Sequence, residues 1–145
     1  MASVDITAAL LAYLKTVSAI TSLIGSGTAA RVYPDDLKQG CDMPAVTLTR
    51  VGGSPAMYLG GRSGLNDATF VVTSYGANRA AADALDNAIF DALGSSGNQT
   101  MGSVKVTDTA ATDGSRDGGV DLPQDGSDAR RYWARTSYRL FYFDA

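Results

Sequence analysis

At 145 residues, 45% hydrophobic and 19% charged, the chain has the composition of one globular domain with a real core, which excludes a disordered polymer. Its formal charge of −3 and pI near 4.7 exclude a protein drawn as a whole to DNA or to anionic membranes. It has no histidine and a single cysteine, Cys41, which excludes Ser-His-Asp and Cys-His catalysis, most zinc sites and any intrachain disulfide.

The N-terminal segment carries an apolar stripe, Ile6, Leu10, Leu14 and Val17, widened by Leu11 and Tyr13, with Asp5 placed to cap it. Ser18 starts a second short helix that Gly25 ends. Asp5 and Lys15 interrupt the apolar run and no basic stretch precedes it, which argues against a signal peptide or a transmembrane span. The lone cysteine points to folding in a reducing cytoplasm.

Arg31, Val32, Tyr33 and Pro34 form a short extended piece that proline keeps out of a sheet centre. After a polar loop at 35–43, residues 45–51 alternate and are rich in β-branched side chains, a strand. Glycines at 52, 53, 60, 61 and 64 bracket an excursion containing Met57, Tyr58 and Leu59, and a second strand follows at 68–75. The two strands read as a long β-hairpin whose apolar tip either folds back or meets a partner.

In that second strand Phe70 and Val72 face one way, Val71 and Tyr75 the other. Gly76 breaks it, Asn78 is placed as an N-cap, and a helix follows to Leu93, with Gly94 ending it. Ala81, Leu85, Ala88, Ile89, Ala92 and Leu93 form its apolar side; Arg79, Asp83, Asp86, Asn87 and Asp91 are expected on the other.

Residues 95–102 read as a flexible loop and 104–106 as a short strand. The segment 109–129 has five aspartates among glycines and serines and no hydrophobic period, so it reads as a long acidic loop, disordered until it meets a neighbour. Its Asp-Gly pairs at 113–114, 117–118 and 125–126 read as turns. The last strand, 130–143, places Arg131, Trp133, Arg135, Arg139, Phe141 and Phe143 on one face. Tyr132, Ala134, Thr136, Tyr138, Leu140 and Tyr142 take the other. The fold class that results is α+β: a single domain, 1–145, with a largely antiparallel sheet of about four to five strands packed against helices, a long β-hairpin and a long acidic loop.

Chemistry is sparse. The run Gly60, Gly61, Arg62, Ser63, Gly64 lacks the Walker spacing and leads into a strand, so it is a hairpin tip rather than a phosphate loop. The aspartates of 109–129 invite a calcium reading, but they recur every fourth residue without an Asp-x-Asp-x-Asp-Gly run. A small ligand- or calcium-binding domain is therefore the alternative function. No pair of aspartates is singled out for acid–base work, so no enzyme, cofactor or metal site is assigned. Arginines interleaved with aromatics on the last strand could serve nucleic acid. The acidic residues before them point instead to Asp pairing, and Arg with Trp is what protein interfaces enrich.

Taken together, the helical N-terminus, Arg31 to Pro34, Met43-Pro44-Ala45-Val46-Thr47-Leu48, the strand at 69–75, the alanine-rich helix at 80–93 and the aromatic strand at 138–143 resemble the tail-completion or tail-terminator family of tailed bacteriophages. The resemblance implies a structural virion protein, assembled in the host cytoplasm, that forms a homohexameric ring capping the tail tube. Its partners would be its own copies, the tail tube protein and the head-side connector or stopper. Genomic DNA would pass through the lumen without specific binding, which suits an acidic chain. The subunit and partner contacts expected on this reading are Met57, Tyr58 and Leu59 at the hairpin tip, and Arg131, Trp133, Arg135 and Arg139 on the last strand.

Overall fold

The structure, a computed structural model, describes residues 6–25, 30–35, 43–52, 55–58, 61–93, 95–96, 99–101, 104–121 and 131–143. It is an α+β fold. Helices α1 (Ile6–Leu14) and α2 (Ser18–Ile24) open the chain, as their apolar spacing predicts. Ile6, Leu10 and Leu14 are fully buried, and Val17 packs at the edge of the same cluster. Gly25 ends α2 with φ 89°, its N–H donating to the Thr21 carbonyl at 2.9 Å. That backbone angle suits a residue without a Cβ. Asp5, Gly94 and the polar loop at 36–42 lie outside the described residues.

The strands are β1 (Val32–Pro34), β2 (Ala45–Gly52), β3 (Pro55–Tyr58), β4 (Gly61–Gly76), β5 (Ser95–Ser96), β6 (Gln99–Met101), β7 (Val104–Asp121) and β8 (Arg131–Phe143). They form one sheet in the order β1-β2-β4-β8-β7-β5, with β3 also on β4 and β6 also on β7. Five strands make its body, as expected, and β3, β5 and β6 are short additions. The β1–β2 ladder is parallel and the others are antiparallel. At the centre, β4 and β8 pair without a register shift from Leu65 opposite Phe143 to Gly76 opposite Tyr132.

The long hairpin is present. β2 pairs with β4 from Ala45 opposite Tyr75 to Gly52 opposite Thr69, and β3 then takes over the same edge of β4. Past Leu65, the last residue of β4 opposite β8, the chain continues as a two-stranded ribbon in which Met57 faces Arg62 and Tyr58 faces Gly61.

One face of the sheet carries Val46, Leu48, Phe70, Val72, Tyr138, Leu140 and Tyr142 into a single core with α1, α2 and α3 (Arg79–Leu93). The alternation read from β4 and β8 thus holds for these residues. Strand becomes helix between Gly76 and Arg79, and a Cβ on Gly76 would stand 2.6 Å from the Ala82 nitrogen. Glycine is the residue that lets β4 turn so sharply. Asn78 caps α3, its side-chain oxygen accepting from the Ala81 N–H at 2.8 Å.

Two expectations need correction. Residues 95–102 are not a plain loop: β5 and β6 pair along β7, and Met101 is fully buried. More consequentially, the first thirteen residues of the supposed acidic loop are strand, because β7 runs on to Asp121 and pairs with β8 along most of its length. Its pattern conceals this. Past residue 110 no described strand flanks β7 opposite β8, and the glycines and aspartates that recur there are residues that ordinarily signal turns. Between Ala111 and Arg116 the ladder shifts by three residues, and Asp113-Gly114 sits in that excursion. Asp117-Gly118, read as a turn, instead stands in the ladder opposite Arg135 and Ala134. Residues 122–130 lie outside the described set. Two of the five aspartates on which the calcium reading rests, Asp125 and Asp128, lie there.

Candidate functional site

The opposite face of the sheet lies outside the core cluster, and β8 runs down it as a ridge. Trp133, Arg135, Ser137, Arg139 and Phe141 alternate with the buried Ala134, Thr136, Tyr138, Leu140 and Tyr142. Arg131 and Arg135 are exposed, and the Arg139 side chain retains half of its exposure. Three of the four residues singled out on this strand are therefore exposed cations, and the fourth, Trp133, is half-buried among them.

The side chains are ordered by one another. The Arg135 guanidinium lies 5.0 Å from the Trp133 ring centroid, and that of Arg139 lies 4.8 Å from Phe141. Both are within cation–π range. Arg139 also pairs with Asp67, its Nε donating to Oδ2 at 2.9 Å while Nη2 donates to the same oxygen. In the β4–β8 ladder Arg139 faces Thr69 and Asp67 faces Phe141, so the ion pair is diagonal. At this exposure it contributes up to about 1 kcal/mol. On the other flank, Asp117 stands opposite Arg135 and Asp121 opposite Arg131. The arginine–aspartate contact seen is with Asp67 of β4, which is not one of the acidic residues preceding the last strand.

The Trp133 ring reaches over β7. A Cβ on Gly119, its partner across the ladder, would fall 2.6 Å from the ring edge. Gly119 has no side chain because the indole occupies that space. Of the hairpin-tip residues, Met57 and Tyr58 stand in the ribbon beyond the end of β8, and Leu59 lies outside the described residues. Tip and ridge are thus separate features joined through β4.

Sequence reasoning missed two polar anchors of the fold that carries this surface. Arg31 donates from Nε to the Pro44 carbonyl at 2.7 Å and from Nη2 to the Leu23 carbonyl at 3.0 Å. It ties the end of α2 to the start of β2, just after the cis peptide between Met43 and Pro44. Asp86, expected on the outer side of α3, is buried, and its Oδ1 accepts from Thr136 Oγ1 at 3.1 Å. Its position could have been found from Ala82, Leu85, Ile89 and Leu93, whose helical spacing encloses it. Among the described residues no group of three or more Cys or Asp side chains is arranged to hold a metal ion. No single helix there is long and apolar enough to cross a membrane.

Comparison with known proteins completes the picture. The family model described as "Tail completion protein gp17" matches residues 8–120. No curated protein matches the chain. Among solved structures, a chain from the "Virion of native gene transfer agent (GTA) particle" superposes with a TM-score of 0.63. The match covers 99% of this chain and 100% of that one at 17% identity, a likeness of fold.

Proposed function

The chain belongs to the tail completion protein gp17 family and is a structural protein of the phage virion tail, and on that premise we propose that it forms a ring that caps the tail tube and joins it to the head-side connector. The family match over residues 8–120 carries this reading. Two features of the molecule support it. A two-stranded ribbon gains little stability alone in water, so the one at Met57 and Tyr58 calls for a surface to lie against. The ridge of Trp133, Arg135 and Arg139 has the residue types that interfaces favour at their centres.

The ring is a homohexamer whose contacts use Met57, Tyr58, Leu59, Arg131, Trp133, Arg135 and Arg139. One ring surface meets the tail tube protein and the other the connector, and DNA passes through the lumen without specific contacts. A chain with net charge −3 does not hold a polyanion that must slide. The role is structural, not catalytic.

Adding purified protein to growing tail tubes tests the proposal. The expected result is protein bound at tube ends by electron microscopy, with elongation arrested. A protein that stays monomeric and leaves tube ends bare overturns it.

A further inference from the structure

The ring reading leaves open which surface of one copy meets which surface of the next. A ring needs contacts between two different patches of the same chain, repeated around a closed turn. The fold carries such a pair on opposite sides. One is the arginine ridge of β8 on the uncovered face of the sheet. The other is the outward side of α3, on the face that the helices cover.

The exposed positions of α3 are Arg79, Ala80, Asp83, Ala84, Asn87 and Asp91. Beyond its first turn the charges on this side are two carboxylates, and the alanines between them let a partner approach closely. Asp83 and Asp91 are eight residues apart, a rise of about 12 Å along the helix axis. Arg135 and Arg139 are four residues apart on a strand, about 13 Å. The two pairs match in sign and in span.

The ridge is not an uncompensated strip of positive charge, because Asp67 contacts Arg139. A guanidinium has five donors in a planar fork, so one carboxylate does not exhaust it. Both arginines also keep exposed surface. We infer that the outward side of α3 in one copy, through Asp83 and Asp91, docks on Arg135 and Arg139 of the next copy. The occupant of the open sheet face is thus a second copy of this chain. The inference rests on the ring reading and deepens it.

Charge exchange between copies tests this contact. Two variants are prepared: D83K/D91K, altered on the helix, and R135D/R139D, altered on the ridge. Each is checked for folding by circular dichroism, then examined by native mass spectrometry and sedimentation into the millimolar range. Wild type is expected to associate, more weakly as salt rises. Each variant alone sets like charges against each other and is expected to associate at least about tenfold more weakly. An equimolar mixture restores association, because helix and ridge charges are again opposite wherever the two variants alternate.

The helix variant keeps the test decisive should the ridge variant fail to fold, since Asp83 and Asp91 are exposed and α3 is otherwise unchanged. Folded D83K/D91K associating as wild type does, or two folded variants whose mixture shows no recovery, overturns the contact and leaves the ring standing. Wild type that remains monomeric at every concentration overturns this contact as a self-sufficient interface, while the ring reading is decided separately by binding at tail-tube ends.

Discussion

Thr136 on β8 donates its hydroxyl to Asp86 on α3 at 3.1 Å, and both residues are buried where the helix crosses the central strand. A carboxylate in that position is costly unless hydrogen-bonded, so the pair fixes how α3 sits on the sheet. Asp86→Ala strands the threonine hydroxyl and opens a small void. The expected loss is about 2 kcal/mol of unfolding free energy, and Asp86→Asn, which keeps an acceptor, loses less. Urea denaturation of both variants measures the difference, and equal losses would contradict it.

The clamp made by Arg31 bears on the N-terminal third. Lysine keeps the charge there but cannot donate in the same fork to the Leu23 and Pro44 carbonyls. Arg31→Lys is expected to lower stability by about 1–2 kcal/mol, with a further decrease for Arg31→Ala. A lysine variant melting with wild type would refute the clamp.

The packing of Trp133 on Gly119 has an optical readout, since the chain has one tryptophan. Gly119→Ala places a methyl group where the ring edge lies, and the ring must move. Its fluorescence emission is expected to shift to the red, with about 1–3 kcal/mol of stability lost to overpacking. An unchanged spectrum would show that the indole does not rest there.

At the start of α3, Asn78→Ala removes the acceptor of the Ala81 N–H. The expected cost is about 1 kcal/mol, with Asn78→Ser and Asn78→Asp near wild type. Thermal melts of the three variants settle the order.

The strand assignment for 116–121 predicts protection. Amides of β7 that donate to β8 between Arg116 and Asp121 are expected to exchange with deuterium far more slowly than those of an open loop. Uniformly fast exchange over 116–121 would favour the loop.

The sequence shows the centre of the fold well and its polar margin badly. Phe70 and Val72 against Val71 and Tyr75, and Tyr138 and Leu140 against Arg139 and Phe141, are readable because one face of a strand is buried and the period is two. Asn78 and Gly25 are readable because helix ends demand particular residue types. β7 is hard to read because the glycines and aspartates that recur along it ordinarily signal turns. Asp86 was placed outward by its charge, although its helical neighbours point inward. The ridge residues could be named from their interleaving with aromatics. Their ordering by Asp67 and Gly119 depends on ladder register, which no local pattern supplies.

Strand β8 is the last in the chain yet lies in the middle of the sheet, between β4 and β7. During synthesis, β7, which ends at Asp121, precedes β8 closely, but β4 is made well before it and waits with an unpaired edge. Pairings so distant in sequence form slowly. Without β8 this edge of β4 is bare and the ridge is absent; when β8 docks, the edge is paired and the ridge is formed. The placement of β8 thus couples two events: the surface proposed for assembly forms in the same step that pairs the inner edge of β4.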